Sequence, residues 1–399
     1  MNDYEFRYNN RFQQNNKDKL YLYLFRGQVI LDTIIIFTYS ALTENLYLFV
    51  PIFLNLLALK IKLNPTNFSQ RFNFVFQLFF QAFIIAESYF YLISFSARYY
   101  DWNLPSSIAL LLVSILVMYI PYTVVFFTPF RNKILQLLLA TFSFAVIAMG
   151  TIGVVTYGTI LSFNSFISVI TDSGFLGAIV FLIMVLVMMR KWGYDYPHMR
   201  LSSQVNWKVL LFLLLLCIWF TMWNAFGGGK SLISSLYTFS FKGANFNIRY
   251  LLSGLEAGIA EELLFRYVFL TVLLVAFKNF RFKIFYASIL SSLCFGIIHI
   301  SNVSAGQSLA NTIDQVIFAF GMGLLMCGIY LYTNLFYLPV IFHTLLDALA
   351  FTTSGEMMTG KVSGVDTLFT ILETVVFAII ALGLLIAVYR RSRRRSFQF

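Results

Sequence analysis

Charged residues are scarce in this chain of 399 residues. Asp, Glu, Lys and Arg together make up 11% of it, whereas 59% is hydrophobic and the mean hydropathy is +0.79. An ordinary soluble domain contains about 25% charged residues, so this shortage excludes a soluble enzyme. Apolar runs long enough to cross a hydrocarbon core of about 30 Å recur along the sequence. We therefore predict an all-α fold, a polytopic bundle of transmembrane helices.

Cysteine and histidine are also rare, with three of each. The cysteines, Cys217, Cys294 and Cys327, each lie inside an apolar run. They lack the paired spacing of a disulfide framework or of a zinc site, so neither structure is indicated. We predict that they are buried thiols.

Positive charge exceeds negative charge, and the formal net charge is +11. In a soluble protein this excess would suggest a nucleic acid partner, but here Lys and Arg form short clusters between apolar runs. Such clusters are typical of cytoplasmic loops. We therefore expect no nucleic acid partner, two cytoplasmic termini and a basic cytoplasmic tail over residues 391–399.

The number of membrane crossings follows from the basic clusters. If all clusters are cytoplasmic, each gap between them must hold an even number of crossings, and about twelve apolar segments satisfy this parity. The first pair is short, because Thr43-Glu44-Asn45 divides it, and a single helix or a re-entrant pair there would change the count. We assign about six crossings to an N-terminal membrane region, residues 1–204. The predicted segments are 29–43, 46–62, 73–96, 106–128, 134–157, 174–189, 208–225, 250–277, 284–300, 312–331, 335–351 and 366–389.

Four ionisable residues interrupt the apolar segment 250–277, namely Glu256, Glu261, Glu262 and Arg266. Each such group costs about 2.5–3.5 kcal/mol at membrane depth, so a cluster of them indicates a function. Glu262 and Arg266 are four residues apart and can form an ion pair on one helical face. Glu261 lies about 100° round the helix, without a local partner. A lone carboxylate at low dielectric binds a proton readily, which suits a general base or acid. A purely architectural role is the alternative interpretation.

Two of the three histidines also lie in apolar segments. His299 follows Phe295 by four residues, and His343 precedes Asp347 by four residues, so that each pair projects from one helical face. A single histidine in a membrane helix is more often a packing residue than a catalyst. Two histidines together with carboxylates on two helices instead predict a shared polar pocket, provided that these helices are neighbours.

The order of these motifs resembles the CPBP (Abi) family, which comprises CAAX prenyl proteases of type II and bacteriocin-processing or self-immunity proteins. The motifs are Glu-Glu-x-x-x-Arg beginning at Glu261, Phe-x-x-x-His ending at His299, and His-x-x-x-Asp beginning at His343. Each motif alone is a weak signal, but three in order within apolar segments are a strong one. The resemblance covers roughly residues 205–390.

The resemblance implies an intramembrane endopeptidase that hydrolyses a peptide bond with a glutamate-activated water molecule. Glu261 would be the base, and His299 would help to orient the water. His343 and Asp347 would stabilise the oxyanion. A site shielded from bulk water suits this chemistry, because developing charge is stabilised more strongly there.

The predicted site residues are compatible with a metal cofactor and with none. Glu261, His299, His343 and Asp347 would also form a set of zinc ligands, because histidine and carboxylate side chains are common ligands of that metal. No His-Glu-x-x-His zinc motif occurs in the sequence. We expect either no cofactor or a divalent metal such as zinc.

The resemblance also bears on partners and location. Glu262 and Arg266 would hold their helix in place, and the substrate would be a peptide or a membrane protein. A composition rich in Phe, Ile, Asn and Leu favours a bacterial cell membrane. The main alternative is a non-catalytic scaffold or immunity protein that acts on a partner membrane protein. A transporter is the third hypothesis, based on the apolar-segment carboxylates Asp32, Glu87 and Glu373.

Overall fold

The computed structural model describes residues 16–96, 117–151, 169–170, 173–228, 232–355 and 364–396. Within these ranges the regular structure is helical, and two isolated β-bridges form no strand. The predicted all-α class is therefore confirmed for the described part of the chain. The chain divides into two compact units, which we call the amino-terminal unit, Tyr8–Asp195, and the carboxy-terminal unit, Tyr196–Phe399. The functional boundary at residue 204 and the basic tail over 391–399 stay predictions.

The amino-terminal unit begins with a tight helical hairpin. Glu44 has a φ of 54° and reverses the chain after the first helix, and the Asn45 side chain accepts a hydrogen bond from the Tyr47 N–H at the start of the next. Short 3₁₀ turns flank the second helix, and a π-helix extends the fifth. The helices are α1 Asn16–Thr43, α2 Phe49–Leu56, α3 Phe68–Ser96, α4 Val117–Phe127, α5 Lys133–Ser143 and α6 Phe175–Lys191.

Buried polar side chains connect α1, α2 and α3. Asn55 on α2 donates a hydrogen bond to Thr33 Oγ1 on α1 at 3.0 Å and accepts one from Gln81 on α3 at 2.7 Å. Asp32 is fully buried and accepts a hydrogen bond from Ser88 Oγ at 2.7 Å. Hydrogen bonds between membrane helices contribute about 0.6 kcal/mol each on average. Asp32, one of the three carboxylates behind the transporter hypothesis, therefore has a partner that holds the helices in register.

The carboxy-terminal unit is built around a long central helix, α12, which packs against α11 and α14. A second pair forms where α9 packs against α13, and α13 also contacts α7. A π-helix, Leu263–Phe269, joins α9 to α10 without a break, and a 3₁₀ turn, His299–Val303, follows α11. The helices are α7 Trp207–Phe226, α8 Leu232–Ser235, α9 Ile248–Glu262, α10 Leu270–Ala276, α11 Lys283–Ile298, α12 Leu309–Thr333, α13 Tyr337–Ser354 and α14 Gly364–Ser396.

Six described helices are long and apolar enough to cross a membrane, as expected for a helical membrane protein. Each of the predicted segments overlaps a described helix, although 106–128 and 134–157 lie partly outside the described residues. The segments 250–277 and 335–351 form helices but are not among the six. The total of about twelve crossings stays a prediction. The six helices are Lys19–Thr43, Phe68–Leu92, Trp207–Phe226, Lys283–Val303, Leu309–Thr333 and Thr367–Arg393.

Two glycines bring α9 and α13 into close contact. A Cβ atom at Gly254 would lie 2.6 Å from the Thr344 carbonyl oxygen, and one at Gly258 would lie 2.9 Å from the Val340 carbonyl oxygen. The Gly-x-x-x-Gly spacing places both glycines on one face of α9, an arrangement that lets membrane helices approach closely. These glycines therefore set the distance between the helices that carry the ionisable residues.

We expect Gly258→Ala to lower the free energy of unfolding by about 1–3 kcal/mol, because the new methyl group would overpack the contact with α13. Gly383→Ala on α14 is the matched control, since a Cβ there has no atom within 4 Å. Alanine at Gly383 should be neutral or slightly stabilising, because glycine is the poorer helix former. Thermal unfolding of both variants in the same detergent measures the difference, and equal shifts would contradict the predicted close contact.

Candidate active site

A buried ion pair lies at the junction of α9 and the π-helix. Glu262 and Arg266 are both fully buried, and Arg266 Nε lies 2.9 Å from Glu262 Oε2. The guanidinium carbon lies 4.2 Å from the centre of the Phe295 ring, which is a cation–π contact. Ser291 Oγ on α11 donates a hydrogen bond to the Phe265 carbonyl oxygen at 2.7 Å and so attaches the π-helix to α11. The structure thus contains the ion pair that the spacing predicts, at a π-helix, a feature frequent at functional sites.

His343 lies among three carboxylates. Its Nδ1 is 2.9 Å from Glu262 Oε1, whereas its Nε2 is 3.4 Å from Asp347 Oδ2 and 3.7 Å from Glu261 Oε2. Glu262 therefore holds the imidazole ring in place, as a carboxylate does in hydrolytic triads. Helical spacing pairs Glu262 only with Arg266 and does not predict this contact. Spacing within one helix carries no information about a partner on another helix.

Phe295 lies between the two histidines. The Phe295 ring is edge-to-face with the His299 ring and with the His343 ring, at centroid distances of 5.2 and 5.8 Å. His299 Nδ1 donates a hydrogen bond to the Phe295 carbonyl oxygen at 2.8 Å, because a carbonyl can only accept. This leaves Nε2 as the His299 nitrogen available to a reacting group. His299 and His343 both act electrostatically on Glu261, so the residues of all three motifs form one cluster.

His343 and the three carboxylates around it differ in exposure, and Asp347 is the most exposed. The exposed fraction of the side chain is 0% for Glu262, 5% for His343, 13% for Glu261 and 27% for Asp347. Glu261 Oε2 is itself buried and has no hydrogen-bond partner among the described residues. Buried polar atoms are normally hydrogen-bonded, so this oxygen is available to accept a hydrogen bond from another molecule.

Glu256 belongs to the same electrostatic cluster, although the sequence analysis gives it no role. It interacts with Glu261, His343 and Asp347, and its Oε1 atom is buried without a hydrogen-bond partner in the described part of the chain. The five residues from Glu256 to Glu261 correspond to about 140° round a helix, so periodicity alone does not place them on one face. On α13, His343 and Asp347 interact electrostatically with both glutamates.

A metal centre is not preformed in this arrangement. Among the residues that the structure describes, no three His, Cys, Asp or Glu side chains are arranged to hold a metal ion. Nδ1 of His343 contacts Glu262, and Nδ1 of His299 contacts the Phe295 carbonyl oxygen, so each ring has only Nε2 to offer. An Nδ1 held by a carboxylate or a backbone carbonyl is also the usual arrangement of a metal-binding histidine, so the cofactor stays a prediction, and we derive no catalytic step from a metal.

Fold and site together define a helical membrane protein with an acid–imidazole cluster between its helices. Part of this chain matches a protein family. Residues 243–349 match the model described as Rce1-like, type II CAAX prenyl endopeptidase. This range contains every predicted site residue from Glu261 to Asp347 and confirms the resemblance found in the carboxy-terminal half. The matched family is a protease family. No curated protein and no solved structure gives a significant match.

Proposed function

We propose that this protein is an intramembrane endopeptidase that hydrolyses a peptide bond in a membrane-associated peptide or protein of a bacterial cell membrane. One observation carries the proposal. Glu261 lies in the range that matches the protease family, and its Oε2 atom has no hydrogen-bond partner among the described residues and lies 3.7 Å from His343 Nε2. A carboxylate that is free to accept a proton beside an imidazole suits the activation of water.

Glu261 is the proposed general base. It accepts a proton from water, the water oxygen attacks the carbonyl carbon of the scissile bond, and the electron pair of the C=O bond moves to the carbonyl oxygen. When the C–N bond breaks, Glu261 returns the proton to the leaving nitrogen. His299, held through Nδ1 by the Phe295 carbonyl oxygen, orients the water through Nε2. Glu261 therefore serves first as base and then as acid.

His343 is the proposed donor to the oxyanion. An N–H group at Nε2 stabilises negative charge as it develops on the carbonyl oxygen, and a donor fixed in advance is most effective. Glu262, 2.9 Å from Nδ1, fixes the ring and balances its charge. Asp347 donates to the oxyanion only when it is protonated, because a carboxylate has no proton to give. As a carboxylate it accepts from His343 Nε2 and aligns the ring.

The test compares new protein amino termini in membranes that contain either the wild-type chain or Glu261→Ala, at equal expression. We expect a set of termini that disappears in Glu261→Ala and persists in Glu373→Ala, a matched control in which another carboxylate of an apolar helix is removed. These termini would identify the substrate. Identical profiles, with a deletion phenotype that Glu261→Ala still complements, would refute the peptidase and favour a scaffold that acts on a partner.

A further inference from the structure

An apolar groove lies at the surface where α10 turns into α11. Its volume is about 320 Å³, which is in the range of ligand pockets. Three aromatic rings at the turn form one end, and their centres lie 5.6, 6.2 and 6.1 Å apart. Three aliphatic side chains of α11 continue the groove, so that no charged residue lines it. The lining residues are Phe277, Phe280, Tyr286, Ile289, Leu290 and Leu293.

The turn at this end of the groove is basic. Lys278 and Lys283 stand close in the chain to the lining residues, and neither forms a hydrogen bond or an ion pair with a described residue. Arg281 adds a third positive charge and donates a hydrogen bond to Tyr389 Oη at 3.3 Å, which places the end of α14 beside the turn. Residues 263–313 contain no Asp or Glu. The hairpin of α10 and α11 therefore has no acidic residue to balance this charge.

The groove has about the length of one leaflet of a bilayer. Leu293 lies ten residues after Lys283, which is about 15 Å along α11 and half of a hydrocarbon core of about 30 Å. The span Lys283–Val303 is apolar enough to cross a membrane, so its first turn is expected at the membrane surface. A basic end and an apolar groove of this length match the phosphate and the acyl chain of one lipid. Basic pockets between membrane helices are known to bind anionic headgroups.

We infer that this groove binds an anionic phospholipid, whose phosphate lies at Lys278 and Lys283 and whose acyl chain lies along α11. Charge complementarity selects the lipid, because a zwitterionic headgroup brings a cation that the lysines repel. The bound lipid holds the turn between α10 and α11 at the anionic leaflet. Phe277 lies fifteen residues beyond Glu262, about 20 Å along the helix axis. The groove is therefore separate from the candidate active site, and lipid binding does not depend on the proposed peptidase activity.

The test titrates the full-length chain in an uncharged detergent with phosphatidylglycerol or phosphatidylcholine, and native mass spectrometry measures the bound lipid. We expect the wild type to bind phosphatidylglycerol about 30-fold more tightly, which corresponds to about 2 kcal/mol, the contribution of two lysines near an anionic surface. Lys278→Gln/Lys283→Gln should remove this preference. Lys60→Gln/Lys62→Gln is the matched control, because it removes two exposed lysines from a basic loop of the amino-terminal unit, and it should match the wild type. Leu290→Trp, which fills part of the groove, should weaken the binding of both lipids and keep the preference.

Three results would overturn the inference. Equal wild-type affinities for the two lipids would show ordinary boundary lipid without selection. Equal losses in the two double lysine variants would show a general effect of net charge. Displacement of phosphatidylglycerol by an equal concentration of glycerol phosphate, which has the headgroup without the chains, would show that the groove contributes nothing. Thermal unfolding without lipid shows whether each variant folds, and if Lys278→Gln/Lys283→Gln does not, the wild type and Leu290→Trp decide the question.

Discussion

Glu261→Gln and His343→Gln should each lower kcat by about 10²–10⁴-fold, and the double variant should be no slower than the slower single variant. Base and oxyanion donor act in the same step, so removing either leaves little for the other to contribute. Their side chains lie 3.7 Å apart between α9 and α13. Single-turnover rates on a peptide from the amino-terminal comparison would measure all three variants.

Asp347→Asn is the matched control for these rates. Asparagine keeps an oxygen that accepts from His343 Nε2, 3.4 Å from Asp347 Oδ2 in the structure, so we expect a loss of less than about tenfold. Multiplicative losses in the double variant would show that Glu261 and His343 act independently. Full activity of Glu261→Gln would exclude the mechanism altogether.

Arg266→Met should lower the free energy of unfolding by about 3–5 kcal/mol, because it removes the guanidinium that lies 2.9 Å from the buried Glu262 carboxylate. The same change removes the cation–π contact with Phe295. Adding Glu262→Gln to Arg266→Met should restore much of the stability, since the charge that lacks a partner is then gone. Equilibrium unfolding in mixed micelles would measure the three variants.

Activity should not recover with stability in that double variant. Glu262 Oε1 lies 2.9 Å from His343 Nδ1, and glutamine supplies neither the charge nor the same orientation. A stable but slow Glu262→Gln/Arg266→Met protein would therefore separate the two roles of Glu262. Arg249→Met, at the exposed start of α9, is the control and should change neither property. If the double variant is as unstable as Arg266→Met, the loss does not come from an unpaired charge.

Local spacing predicts some features of the site well. The contact between Glu262 and Arg266 lies within one helical turn, and that geometry is the same in any helix. The hairpin at Thr43-Glu44-Asn45 is another local feature, since polar residues interrupt an apolar run there and Glu44 adopts the left-handed backbone that ends the helix. The position of both features follows from residues that are neighbours in the chain.

The sequence patterns did not predict contacts between residues that are far apart in the chain. Glu262 and His343 are 81 residues apart in the chain. Phe295 contacts both histidines, and it also packs closely on α12, where a Cβ at Gly323 would lie 3.1 Å from the Phe295 ring. Glu256 had no predicted role for the same reason, because two of the residues it interacts with, His343 and Asp347, lie on α13.

By itself, the sequence determined that this protein is helical and apolar and that a few ionisable residues stand in its apolar segments. The physical reason is that a chain in lipid must satisfy every backbone hydrogen bond internally, and that each charged side chain in lipid costs free energy. Only the tertiary structure decided which of those residues meet. The close packing of α9 on α13 through Gly254 and Gly258 brings glutamates and histidine together, and neighbours across that contact are set by packing rather than by spacing.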